Sequence, residues 1–142
     1  MTTRSASAKY EGFGKAGRGH VSLQSGVMKD QFYGFTTRFE DEAGTNPEEL
    51  IAAAHASCFT MALSFALAQA GHSDGTLETT AKVKLEKDGD GFKVTRSDLS
   101  LDARVDGIDA AEFERIASEA KANCPISKLL NAEITLEHRL NA

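Results

Sequence analysis

The sequence predicts an α+β fold in which antiparallel sheets pack over helices. Three features carry this prediction. A long apolar helix runs from Thr45 to Gly71, strand-like alternation flanks it on both sides, and an amphipathic helix from Asp109 leads to a final alternating run. A helix wrapped by a sheet also describes a hot-dog-type fold, and patterning does not separate the two. At 142 residues the chain reads as a single domain, 1–142, large enough for its own core.

Residues 1–40 read as strands. Glycines break KYEGFGKAGRGHVSLQSG into short extended pieces and turns. From Gln31 the alternation sharpens: Tyr33, Phe35, Thr37 and Phe39 take one face, and Phe32, Gly34, Thr36 and Arg38 the other. The long helix opens on Asn46 as N-cap, Pro47 at the first helical position and Glu49 where a capping-box acid reaches back. Gly71 supplies a left-handed C-cap. Between Leu50 and Ala68 there is no polar face, so the helix is expected to be buried on nearly all sides, its small residues admitting other backbone closely, a second copy of the same helix among them.

After Gly71, Ala81, Val83 and Leu85 alternate with Lys82, Lys84 and Glu86, giving a dry and a wet face. DGDG at 88–91 signals a hairpin, and Phe92 to Val105 returns with Leu99, Leu101, Ala103 and Val105 in phase. Asp109 caps a helix whose stripe is Phe113, Ile116, Ala117 and Ala120. Asn123-Cys124-Pro125 stops it, and Pro125 starts a short helix with Cys124 at its N-terminus. The last strand, Glu133 to Leu140, alternates again.

Composition narrows function. A net charge of -5 argues against an electrostatic nucleic-acid binder. A membrane span is the rival reading of the long helix, whose roughly 19 apolar residues just reach spanning length. Its alanine content, its His55, Ser57, Thr60 and Ser64, and the absence of flanking Trp or a second apolar segment argue against that. The opening MTTRSASAKYEG has no apolar signal core, so a cytoplasmic location is expected. A reducing cytosol disfavours a permanent disulfide, leaving the two cysteines as buried thiols or redox groups.

Cys58, in the middle of the long helix, is the candidate for chemistry. A free cysteine also packs as a small hydrophobe. The reactive reading needs a thiolate, and burial among apolar groups works against one. Positive charge must oppose burial; Arg38 is one candidate and His55, one turn earlier, another. Cys124 gains from its helix N-terminus. If the two sulfurs meet, peroxide reduction follows, because a sulfenic acid condenses with a nearby thiol. Glu48 stands ten residues before Cys58, roughly 15 Å along a straight helix, so it serves that sulfur only through a bend or from a second subunit.

GTNPEELIAAAHASCF, the second cysteine in NCPIS, the YGFTTRFE segment and the AEITLE close resemble the OsmC/Ohr family of hydroperoxide reductases, nearer its OsmC branch, over essentially the whole chain. The resemblance implies an OsmC-like fold, antiparallel sheets wrapped around long central helices in an intertwined homodimer, with two active sites at the subunit interface. It implies that Cys58 is the peroxidatic cysteine and Cys124 the resolving one, forming an intramolecular disulfide that an external dithiol reduces. Glu48 matches the acid of the NPE motif and orients Arg38, which matches the thiolate-stabilising arginine; Arg18, in a glycine-rich stretch, is the competing match. The implied substrates are organic hydroperoxides, favoured by an apolar pocket, with no metal, haem or flavin, no nucleic acid and no membrane. Two alternatives stand beside it: a non-catalytic stress-related dimer with buried thiols, and a hot-dog enzyme acting on acyl thioesters through acids.

Overall fold

A computed structural model describes residues 1–142, which fall into two compact units, Met1–Leu50 and Ile51–Ala142. The first unit holds an antiparallel sheet in the order β1 (Ala6–Glu11), β2 (Arg18–Leu23), β3 (Gln31–Tyr33), followed by a short helix α1 (Phe35–Phe39). Helix α2 (Pro47–Gln69) starts at the end of this unit and continues into the second. There follow β4 (Gly75–Asp88), β5 (Gly91–Val105), α3 (Ala110–Asn123), α4 (Pro125–Leu129) and β6 (Glu133–Leu140).

Several elements follow their local chemistry as expected. The β4–β5 hairpin closes on a two-residue turn at Gly89-Asp90, with Asp88 opposite Gly91. Asp109 accepts from the Glu112 N–H at 2.9 Å and starts α3. Asn46 Oδ1 accepts from the Glu49 N–H at 2.8 Å and starts α2. The Glu49 carboxylate does not return to the Asn46 backbone; it accepts from the Thr45 hydroxyl instead, at 2.8 Å. At the other end Gly71, with φ of 96°, closes a Schellman motif: its N–H reaches Ala68 O and the His72 N–H reaches Leu67 O.

Three features depart from the sequence expectation. The strand expected across 31–39 ends at Tyr33, and Phe35–Phe39 is helical. The reason is local: Thr37 Oγ1 accepts from the Gly34 N–H at 2.8 Å and donates to Gly34 O at 3.0 Å, a threonine cap that competes with the extended form. Second, the sheet of β4, β5 and β6 is mixed, because β6 runs parallel to β5. The chain passes through α3 and α4 between these strands, and a crossover of that length permits parallel pairing. Third, α2 is long and apolar enough to cross a membrane by length and composition, but it is not buried all round. His55, Phe59, Leu63 and Leu67 are buried, while Met61 and Phe65 remain 61% and 65% exposed.

The second unit has one core. Phe59, Leu63 and Leu67 of α2 share it with Leu99, Leu101, Ala103 and Val105 of β5 and with Phe113, Ile116, Ala117 and Ala120 of α3. One buried polar side chain crosses it. His55 is fully buried, with Nδ1 2.6 Å from Ser97 Oγ of β5 and Nε2 2.8 Å from Ser127 Oγ of α4. Both ring nitrogens are thus satisfied, which removes the cost of burying them unpaired.

Burial lowers the His55 pKa below its ordinary 6.5. The unfolded chain therefore takes up a proton before the folded chain does, and stability is complete above about pH 6.5 and declines as pH falls below it. Thermal or urea unfolding between pH 7.5 and 5 is expected to show this loss, at most about 1.4 kcal/mol per pH unit from this group. In His55→Gln the slope should flatten; an unchanged slope would remove His55 as its source.

Candidate active site

The fold brings the two cysteines together. Cys58 lies half-buried one turn beyond His55 on α2, and Cys124 is fully buried where α3 ends and α4 begins. Cys124 both closes α3, its N–H donating to Ala120 O at 2.9 Å, and caps α4 ahead of Pro125. The thiols are free and hydrogen-bonded to each other. The Ile126 N–H at the start of α4 acts on both sulfurs, and the Ser127 N–H and hydroxyl act on Cys124.

These contacts divide the pair electrostatically. Burial, reinforced by the hydrogen bond that Cys58 donates to Cys124, pushes the Cys58 pKa up. Burial also works on Cys124, but the hydrogen bonds from Cys58, the two backbone N–H groups and the Ser127 hydroxyl together bring its pKa down. When the pair loses its first proton, the charge thus settles on Cys124 and the remaining proton on Cys58, unless positive charge reaches Cys58.

The first unit assembles a second pair. The Thr37 cap ends β3 and turns the chain into α1, which puts Arg38 in the last turn of a helix. The Asn46 side chain donates to Thr37 O at 2.9 Å, and the Thr45 N–H donates to Phe32 O at 3.0 Å, folding the 40–46 segment back. Gly44 makes that return possible: its φ is 151°, and a Cβ there would lie 2.8 Å from Phe32 O. Arg38 and Glu48 then meet in a bidentate pair, Nε to Oε1 at 2.8 Å and Nη2 to Oε2 at 2.9 Å. Their side chains are 35% and 13% exposed, and the Glu48 hydrogen bond raises the Arg38 pKa further. The guanidinium borders a cavity of about 400 Å3 walled by Tyr10, Tyr33, Phe35, Phe39 and Pro47.

Of the four candidate residues, the structure therefore forms Cys58–Cys124 and Arg38–Glu48 as two pairs, each at close range. Arg18 is engaged elsewhere, its Cζ 3.9 Å from the centre of the Phe32 ring. His55 is not the cation that the sequence offered for Cys58, because burial keeps it neutral and two serines occupy its ring nitrogens. Those serines were missed in the sequence. Ser97 carried a legible sign, since it continues the buried row of Leu99, Leu101, Ala103 and Val105 as its one polar member. Ser127 carried a weaker one, three residues after the cysteine that caps α4.

Comparison with known proteins gives one answer. Residues 39–139 match the family model described as OsmC-like protein. The chain is 53% identical over 135 residues to the peroxiredoxin OsmC of Escherichia coli, spanning 95% of this chain and 94% of that one. It is 37% identical over 100 residues to the organic hydroperoxide resistance protein OhrA of Bacillus subtilis, with 68% of each covered. Among solved structures it resembles the organic hydroperoxide resistance protein OhrB of Bacillus subtilis, with a TM-score of 0.72, 28% identity and coverage of 97% of this chain and 98% of that one. A family match of this extent, joined to a relative alike over nearly its full length, means that the chain belongs to the OsmC family.

Proposed function

We infer that this protein is a thiol-dependent peroxidase that reduces organic hydroperoxides to alcohols. The observation that carries this reading is the hydrogen-bonded pair of free thiols, Cys58 and Cys124, with only one of them fully buried. Its relatives' names, a peroxiredoxin and organic hydroperoxide resistance proteins, point to the same chemistry.

Cys58 acts as the peroxidatic residue. Its thiolate attacks the terminal peroxide oxygen, the O–O bond breaks, and the departing alkoxide takes a proton to leave as the alcohol. Cys58 becomes a sulfenic acid. Cys124 attacks that sulfur, hydroxide departs and is protonated to water, and the disulfide closes. An external dithiol then restores both thiols by exchange. Arg38 supplies the positive charge that Cys58 lacks among its immediate neighbours, and the Glu48 carboxylate fixes the plane of the guanidinium. The aromatic wall beside Arg38 suits an alkyl or aryl hydroperoxide better than hydrogen peroxide.

The reading includes a homodimer in the cytoplasm. Ala53, Ser57, Met61, Ser64, Phe65 and Ala68 form an exposed, largely apolar stripe along α2, small residues alternating with large, which suits close approach of a second copy. Glu48 precedes Cys58 by ten helical residues, roughly 15 Å, and a crossing partner helix would shorten that path. A single-chain mass by sedimentation equilibrium would remove this part of the reading.

Cys58→Ser is expected to abolish turnover of cumene hydroperoxide with a dithiol reductant, and undiminished turnover would exclude Cys58 as the nucleophile. Cys124→Ser should keep its first turnover and lose steady-state recycling, so unchanged recycling would deny Cys124 its role. Arg38→Met should raise the pH midpoint of Cys58 attack and slow it at neutral pH by about tenfold to a hundredfold, the effect of losing one opposite charge. Arg38→Lys, which keeps charge but not the bidentate geometry, should recover only part; full rate in Arg38→Met would shift the role to another cation.

A further inference from the structure

The hydrogen bonds around Cys124 extend beyond the two thiols. Ser127 is the buried residue of the short helix that Cys124 caps, three positions on from that sulfur, and acts on it; His55 Nε2 lies 2.8 Å from Ser127 Oγ, and Ser97 Oγ lies 2.6 Å from His55 Nδ1. The chain of contacts Ser97–His55–Ser127–Cys124 links β5, α2 and α4. His55, Ser97 and Cys124 are each 0% exposed and Ser127 is 9% exposed, so water does not compete for these groups. The peroxide chemistry described above uses none of the three residues beyond the cysteine.

We propose that Ser127, oriented by His55 and Ser97, positions and stabilises the thiolate of Cys124 for disulfide formation. One proton arrangement satisfies every group. A sulfur anion accepts, so the Ser127 hydroxyl donates to it. The Ser127 oxygen then accepts from His55 Nε2–H. A neutral imidazole that donates through Nε2 must accept through Nδ1, and the Ser97 hydroxyl donates there. Burial favours this neutral ring. His55, Ser97 and Ser127 are positioning residues: Ser127 touches the resolving sulfur, and the other two act through it.

The network has its task at a particular moment in the cycle. The reactive form of the pair is the singly deprotonated one, in which the two sulfurs share one proton. When Cys58 attacks as the thiolate, the alkoxide takes that proton and leaves as the alcohol, so Cys58 carries the hydroxyl of a sulfenic acid and Cys124 is left as an anion. That anion is buried and no longer has a neighbouring S–H to lean on. Ser127, with the Ile126 and Ser127 N–H groups, is what holds it. It then attacks the Cys58 sulfur; the S–O bond breaks, the S–S bond forms, and a solvent proton converts the departing hydroxide to water. The groups facing Cys124 are Cys58 from α2 and Ile126 and Ser127 from α4, and those facing His55 are Ser97 from β5 and Ser127.

The biological meaning rests on Cys124 being the resolving thiol, but the test does not. The chain has two cysteines, so in Cys58→Ser the remaining thiol is Cys124, and its titration is read without any peroxide from the ultraviolet absorbance of the thiolate as a function of pH. Adding Ser127→Ala should raise the absorbance midpoint by about one pH unit and, below the midpoint, lower the thiolate fraction about tenfold. Ser127→Thr should return the midpoint to near its starting value. Ser97→Ala, which does not touch the sulfur, should move it in the same direction as Ser127→Ala. A folded Ser127→Ala protein whose profile superimposes on its parent would overturn the proposal. A Ser97→Ala protein with an unmoved midpoint would overturn the part played by His55, and it keeps the test open should Ser127→Ala fail to fold.

Discussion

Burying an imidazole is least costly when both nitrogens find partners, and at His55 meeting that demand ties three elements together. His55 on α2 needs Ser97 of β5 on one side and Ser127 of α4 on the other. Cys58 is one turn further along the same helix, and Cys124 is the residue that begins the helix carrying Ser127. Satisfying the ring therefore also brings two sulfurs distant in sequence within a hydrogen bond of each other. The apolar residues around it supply the bulk of the folding free energy. The imidazole supplies direction, because hydrogen bonds fix orientation where apolar contact does not.

The same enclosure creates the chemical problem that the site must solve. Burial opposes a thiolate at Cys58, while short-range hydrogen bonds favour one at Cys124. A peroxidatic cysteine needs the opposite balance, and a guanidinium is the group suited to provide it, since it keeps its charge at any relevant pH and is weakly hydrated. Arg38 is held by Glu48 in a two-point pair that leaves the plane of the guanidinium fixed. A cation held in this way can stabilise charge without first reorganising.

Much of this was written in local signals. Asn46-Pro47 and Gly71 mark α2 to within a residue or two, Asp109 marks α3, and DGDG marks the hairpin, because caps and tight turns depend on neighbours in sequence. The motifs around Cys58 and Cys124 were legible for the same reason. What escaped was set by contacts across the chain. The aromatic alternation from Gln31 continues past the strand because a buried threonine cap, invisible to a period-two pattern, turns Phe35–Phe39 into a helix. The direction of β6 depends on the crossover through α3 and α4 and leaves no trace in its own alternation. The exposed stripe of Met61 and Phe65 could not be told from core, because apolar residues look alike whether they face their own chain or a surface left open. His55 and its two serines share this limit, for a residue's partner 42 or 72 positions away is a fact of the fold.

The most direct measurement is a map of the disulfide formed by one equivalent of an organic hydroperoxide. Reduced protein is treated with cumene hydroperoxide, free thiols are blocked, and the digest is read by mass spectrometry without reduction. A single product is expected, a peptide containing Cys58 joined to the peptide containing Cys124 from the same chain, formed in step with the loss of one peroxide. Both cysteines recovered as blocked thiols after the peroxide has been consumed, or a bridge found only between different chains, would contradict the pairing of these two sulfurs as the centre of the chemistry.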